Sequence, residues 1–127
     1  KTEDKVIINS EKSIDIIENK YTSQSDEQAR VTVEIIPTAL GVNESKNIFD
    51  VSFNTHSVEM DYDFSKVIVL KDDLGNIYEA LEWTGGRGGH HVSGEIIFSA
   101  IDAQASNIEI DVLGVGGVDR NFKWNLL

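Results

Sequence analysis

The sequence predicts an all-β fold, a seven-stranded antiparallel sandwich of the immunoglobulin or fibronectin type III kind. From Arg30 onward, apolar residues recur with a period of two, which is typical of strands with one buried face. Turn residues separate these runs at regular intervals, as in a sandwich. Helical spacing appears only at Ile14, Ile17 and Tyr21, which argues against an α/β fold. A small barrel is the alternative architecture.

The predicted strands follow one another with short connections. The first ends at Pro37, because proline cannot donate a ladder hydrogen bond. The fourth is expected to run unbroken from Ile77 to Trp83, after a tight turn in which Gly75 supplies a positive φ. The seven strands cover residues 31–36, 49–54, 66–70, 77–83, 95–100, 108–112 and 122–126.

Length and composition predict one domain with a polar leading segment. The chain has 127 residues, of which 30–127 carry the strand pattern and 1–29 are predicted to be a linker or tether. There is no cysteine, so disulfides and thiolate metal sites are excluded. The net charge is −11, which disfavours binding to nucleic acid and to anionic lipid. No apolar run approaches the roughly 20 residues of a membrane span.

Strand alternation brings three loops to one end of the domain. In an up-and-down arrangement, the loops after the second, fourth and sixth strands share one end, which we call the loop pole. The first of these loops carries His56 with Asp61 and Asp63. The second is the glycine loop, the stretch Trp83–His91, which holds four of the ten glycines and two of the three histidines, His90 and His91. Loops at one end of a sandwich are common binding sites.

A metal site is the sharpest hypothesis for the loop pole. Imidazole and carboxylate groups ligate Zn²⁺ and Cu²⁺, so His56, His90, His91, Asp61 and Asp63 are the candidate ligands. The alternative is structural, with the imidazoles bonded to loop carbonyls that no sheet ladder reaches. The spacing matches neither H-x-H nor H-x₃-H, so the alternative stays open.

A partner protein is the other candidate ligand of the loop pole. Arg87 is expected either to pair with the acidic loop or to serve as an exposed anchor. The predicted partner-binding residues are therefore Arg87, His90 and His91.

Other chemistries have weaker signatures. Asp72 and Asp73 do not match a calcium-binding loop and are predicted to be turn residues. The run Gly85–Gly89 lacks the Gly-Lys-Ser/Thr ending of a phosphate loop. No nucleophile elbow accompanies the serines near the histidines, so the chain is predicted not to be an enzyme.

Three segments carry a resemblance to a known family. They are Thr55-His56-Ser57-Val58-Glu59, Asp72-Asp73-Leu74-Gly75-Asn76, and Gly85-Gly86-Arg87-Gly88-Gly89-His90-His91-Val92-Ser93-Gly94. Over about residues 31–126, the chain resembles an uncharacterised prokaryotic domain with the pattern Thr-His-Ser…Asp-x-Gly…Gly-Gly-His-His-x-x-Gly. That family occurs in exported or lipid-anchored proteins. The resemblance implies an extracytoplasmic location, with residues 1–29 as the tether to any upstream membrane anchor, and it implies no activity.

The sequence therefore predicts a non-enzymatic extracytoplasmic binding module that uses the loop pole. The expected ligand is a partner protein, and the alternative is a transition metal, Zn or Cu, held by the His/Asp cluster. A second alternative is a purely structural domain of a larger exported protein.

Overall fold

The computed structural model describes residues 21–127 and shows two antiparallel sheets, which confirms the all-β class and fits a β-sandwich. The five-stranded sheet has the order β1-β2-β3-β7-β6, and the four-stranded sheet has the order β5-β4-β8-β9. A short helix, α1 (Phe64–Val67), precedes β4, and a 3₁₀ turn (Val115–Gly117) lies between β8 and β9. The strands are β1 (Gln24–Gln28), β2 (Val31–Ala39), β3 (Lys46–Thr55), β4 (Ile68–Asp72), β5 (Ile77–Tyr78), β6 (Glu82–Trp83), β7 (His91–Ser99), β8 (Asn107–Val112) and β9 (Arg120–Asn125). The helical spacing at Ile14 and Ile17, and the first 20 residues of the predicted linker, lie outside the described range.

The hydrophobic core lies between the inner faces of the two sheets. The period of two places every second side chain of β2, β3, β7, β8 and β9 inside, as the sequence predicts. At the loop pole, an aromatic cluster closes the core. The Phe64 ring lies 4.5 Å from the Phe53 ring and 5.4 Å from the Trp83 ring, measured between centroids. Phe64 is buried, which fixes α1 and the loop before it.

The predicted fourth strand is two strands in different sheets. Ile77–Tyr78 pairs with β4 in the four-stranded sheet, whereas Glu82–Trp83 pairs with β7 in the five-stranded sheet. The chain therefore crosses from one sheet to the other at this edge. Alternating polarity led to the prediction of one strand, but Ile77 and Leu81 are 68% and 60% exposed, so the apolar positions do not share one buried face.

Other strand boundaries also differ from the prediction. β2 continues past Pro37 to Ala39, because a register shift between these two residues accommodates the missing donor. The predicted third strand starts later, at Ile68, because Phe64–Val67 forms α1. β7 begins earlier than predicted, at His91, since its first four residues pair with β3.

Part of the predicted linker is a strand. Residues Gln24–Gln28 form β1, which pairs with β2 over five residues. Its polar side chains carry no apolar alternation, so sequence periodicity does not reveal it. Contacts with β9 hold the segment. The buried Arg120 binds the Asp26 carboxylate with an N–O distance of 3.1 Å, and the Trp124 indole donates to the Thr22 carbonyl at 2.8 Å.

Candidate functional site

The loop pole assembles as strand alternation predicts, from residues 56–63, 84–90 and 113–119. The Met60 amide donates to the Gly89 carbonyl at 2.9 Å, and the Gly88 amide donates to the Met60 carbonyl at 2.7 Å. The third loop joins through the Gly116 amide, which donates to the Tyr62 hydroxyl at 3.1 Å. Backbone hydrogen bonds therefore connect the first two loops, and a side-chain hydroxyl connects the third loop to the first.

Two glycines give the glycine loop its course. Gly88 and Gly89 have φ values of +93° and +79°, in the left-handed region that disfavours other residues. The Gly89 amide donates to the Glu59 carboxylate at 2.7 Å, which adds a side-chain contact between the first two loops. Gly88 and Gly89 therefore let the chain follow a course that other residues disfavour.

Gly85 and Gly94 serve close packing. A Cβ on Gly94 would lie 2.4 Å from the Gly85 Cα, and a Cβ on Gly85 would lie 2.4 Å from the Ser93 carbonyl oxygen. The start of the loop therefore lies directly against β7. The Trp83 indole also donates to the Gly86 carbonyl at 3.0 Å, which fixes the first turn of the loop.

Arg87 pairs with the acidic loop, which was one of its two predicted roles. Its Nε lies 2.7 Å from the Asp61 Oδ1, and the two side chains are 58% and 66% exposed. The hydrogen bond that Arg87 donates to Asp61 raises the pKa of Arg87 above its ordinary value. Because solvent screens an exposed pair of this kind, its contribution to stability is small and its main effect is to orient the guanidinium.

All three histidines of the loop pole lie on the surface. His56, His90 and His91 are exposed. The His91 Nδ1 lies 2.7 Å from the Asn54 Oδ1, so a side-chain amide orients this ring. His90 contributes its backbone, since its carbonyl accepts the Thr55 amide at 3.0 Å.

The predicted metal ligands do not form a metal-binding group within residues 21–127. In that range, no set of three or more His, Asp or Glu side chains is arranged to hold a metal ion. Two of the candidates have other partners, because Asp61 accepts from Arg87 and Asp63 accepts from the Ser65 hydroxyl at 2.7 Å.

Sequence reasoning missed a groove on the outer face of the five-stranded sheet. It is a depression of about 400 Å³, which we call the sheet groove. Strand register explains it: Ser52 pairs with Ser93, and Asp50 pairs with Glu95, so these side chains lie on one face. The adjacent pair in the same register is Asn54 and His91, which connects the groove to the loop pole. Its lining includes Glu34, Ile36, Asp50, Ser52, Ser93 and Glu95.

The opposite end of the domain, which we call the turn pole, uses its carboxylates for structure. Asp72 accepts from the Leu74 and Asn76 amides, the Asn76 side chain and the Tyr78 hydroxyl, at 2.8–3.0 Å. Burial raises the pKa of Asp72, but the hydrogen bonds from Asn76 and Tyr78 outweigh it and give a net lowering. The prediction that Asp72 is a turn residue is confirmed.

Asp73 connects the same turn to the start of β8. Its Oδ1 accepts the Ser106 and Asn107 amides at 2.8 and 3.2 Å. These two hydrogen bonds lower the pKa of Asp73. The neighbouring carboxylate is therefore also a turn group, as the sequence predicts.

Comparison with known proteins yielded no match to a family model, to a curated protein or to a solved structure. In residues 21–127, no helix is long and apolar enough to cross a membrane.

Proposed function

We propose that this domain is a non-enzymatic, extracytoplasmic binding module whose protein partner contacts the loop pole through Arg87, His90 and His91. The observation that carries the proposal is the fixed position of the glycine loop. Two hydrogen bonds join the backbone of the loop to the amide and the carbonyl of Met60, while the side chains of Arg87, His90 and His91 remain exposed. A loop that is ordered before binding loses less conformational entropy on association, which favours affinity.

The sheet groove supports the choice of a protein as the partner. It adjoins His91, so the loop pole and the groove form one continuous surface. Three of its lining side chains, Glu34, Asp50 and Glu95, are acidic, and the whole chain carries a net charge of −11. Electrostatic complementarity therefore favours a partner that presents basic side chains.

Separate observations support the remaining parts of the proposal. The non-enzymatic role is favoured because the histidines lie open to water, whereas catalytic groups usually work in enclosed sites. The extracytoplasmic location rests on the family resemblance alone. The immunoglobulin or fibronectin type III kind of sandwich is also part of the proposal, supported by the two antiparallel sheets of five and four strands.

The partner protein is favoured over the metal for a geometric reason. In residues 21–127, no set of three or more His, Asp or Glu side chains is arranged to hold a metal ion, so His56, His90, His91, Asp61 and Asp63 would have to rearrange to bind one. A protein partner requires no such rearrangement.

Site-specific photo-crosslinking in the source cells tests the proposal. A benzophenone amino acid replaces His90 at the loop pole and, in the control, the exposed Glu44 in the turn between β2 and β3. Glu44 lies at the turn pole, so both probes are exposed but point to opposite ends. We expect a discrete adduct from position 90 and none from position 44. The absence of adducts, or identical adducts from both positions, would favour a purely structural domain.

A pair of triple variants then measures the contribution of the exposed side chains. We expect Arg87→Ala/His90→Ala/His91→Ala to remove most of the adduct when the probe is placed at His56 instead. The matched control at the turn pole is Asn43→Ala/Glu44→Ala/Ser45→Ala, a triple substitution at exposed positions. This control should leave the yield of the adduct unchanged. Thermal unfolding of both triples checks that neither change disrupts the fold.

A further inference from the structure

We propose that β1 exchanges between two copies of this chain, giving a strand-swapped homodimer. In this dimer, β1 of each chain pairs with β2 of the other. β1 is one edge strand of the five-stranded sheet, and β6 is the other. The inference does not depend on the proposed binding function.

The connection between β1 and β2 is a strained hinge. Gln28 pairs directly with Val31, so only Ala29 and Arg30 form the turn. Both have positive φ values, +51° and +64°, and they are the non-glycine residues of the described chain with this conformation. Two-residue hairpins of this kind strongly prefer Asn-Gly, because a Cβ disfavours the left-handed region. Short hinges under strain promote strand exchange, since an extended hinge removes the strain.

A buried arginine prevents β1 from simply detaching. The Arg120 residue is 2% exposed, and its guanidinium makes two contacts with β1. These contacts are to the Asp26 carboxylate, at 3.1 Å, and to the Gln28 carbonyl, at 2.7 Å. Loss of both would leave a buried charge poorly paired, which is strongly unfavourable. A strand that leaves must therefore be replaced by one with the same groups at the same positions.

A second copy of the chain supplies that strand. Its β1 would bring Asp26 to Arg120 and its Thr22 carbonyl to the Trp124 indole, restoring every contact of the closed form. The contacts are the same in monomer and dimer, whereas the strain at Ala29 and Arg30 is present only in the monomer. This difference favours the swapped dimer at high protein concentration.

The composition of β1 permits the exchange. Its sequence is Gln-Ser-Asp-Glu-Gln, with three of the five residues exposed, so its release uncovers few apolar groups of the strand itself. A strand held by its ladder and by polar contacts with Arg120, Lys123 and Trp124 opens more readily than one anchored by core side chains.

A disulfide experiment tests the swap directly, because the chain has no native cysteine. Ser25 and Glu34 pair across the β1–β2 ladder and are both exposed, so Ser25→Cys/Glu34→Cys places two thiols side by side. In the monomer the disulfide forms within one chain, and in the swapped dimer it joins two chains. The protein is oxidised at micromolar and at millimolar concentration. We expect covalent dimers on non-reducing gels at the higher concentration, and sedimentation should give the mass of two chains.

Two hinge variants control the equilibrium. Ala29→Asn/Arg30→Gly relaxes the turn, and we expect it to raise the dimer dissociation constant at least about tenfold while the monomer stays folded. Deletion of Ala29 leaves too few residues for the turn, so we expect dimers at micromolar concentration.

The proposal fails if the chain is monomeric at millimolar concentration. It also fails if dimers contain only intrachain disulfides, or if the relaxed hinge leaves the dissociation constant unchanged.

Discussion

The two ends of the sandwich use their polar side chains in opposite ways. At the turn pole, Asp72 and Asp73 accept backbone amides and are occupied by the fold itself. At the loop pole, the amides of Gly88 and Met60 are satisfied by other backbone groups, and the side chains of His90 and its neighbours face water. The difference shows that side chains remain available for binding where backbone groups satisfy one another.

Glycine explains how the loop pole achieves this. The left-handed conformations of Gly88 and Gly89 direct their amides and carbonyls towards residues 56–63, so few side chains are needed to bind the backbone. Glu59 is an exception, because its carboxylate accepts the Gly89 amide. At the turn pole, the amides of Leu74 and Asn76 depend on one carboxylate.

The largest expected effect on stability concerns the buried charge of Arg120, the first residue of β9. We expect Arg120→Met to lower the free energy of unfolding by about 3 kcal/mol, because Asp26 and three backbone carbonyls lose their donor. The control, Arg87→Met, removes an exposed arginine whose ion pair is screened by solvent, so the loss of stability should be much smaller. Urea denaturation measures both. Equal losses would show that Arg87 is as structural as Arg120.

The next effect compares one aspartate from each pole. We expect Asp72→Ala to lower the free energy of unfolding by about 2 kcal/mol, since four hydrogen bonds are lost. Asp61→Ala breaks only the exposed pair with Arg87 and should cost less than about 1 kcal/mol. Chemical denaturation measures the free energy of unfolding of both variants. A larger loss for Asp61→Ala would show that the structural carboxylate lies at the loop pole and not at the turn pole.

Part of the pH dependence of stability should originate at the turn pole. The pKa values of Asp72 and Asp73 are lower in the folded chain than in the unfolded chain. Their contribution to stability is therefore complete above the unfolded value of about 3.9 and is lost as the pH falls through the folded values. We expect thermal stability to fall as the pH drops below about 4, and to fall less steeply in Asp72→Ala. An unchanged slope in the variant would assign the acid sensitivity to other carboxylates.

The smallest expected effect is the response of the loop pole to metal ions. Because no metal-binding group is assembled in residues 21–127, we expect Zn²⁺ or Cu²⁺ to shift the melting temperature by less than about 1 °C. His56→Ala/His90→Ala should respond in the same way. A rise in the wild type that is lost in this variant would instead show that the loops rearrange to bind the ion.

Local pattern was sufficient to predict much of the fold and the placement of the loops. The alternation of Val31, Val33 and Ile35 reveals a half-buried strand, since each residue reports its own face. Strand parity brought the glycine loop to the acidic loop, and the Arg87–Asp61 pair follows from it. These inferences succeed because they depend on neighbouring residues or on strand order alone.

The features that sequence reasoning missed depend on contacts between distant residues. β1 is polar and is held by Arg120, which lies 94 residues after Asp26. The sheet groove requires the register that places Ser52 beside Ser93, and register is not encoded by the period of either strand. The amide that orients the His91 ring, on Asn54, belongs to the same register.

The crossing of residues 77–83 between the sheets also bears on aggregation. It leaves β5 and β6, the edge strands on that side, with two residues each. An incoming strand from another molecule would find too few free amides and carbonyls there to extend either ladder. With longer edge strands, the exposed side chains of Ile77 and Leu81 would favour aggregation there. We therefore expect the domain to remain dispersed at this edge, helped by mutual repulsion from its net charge of −11.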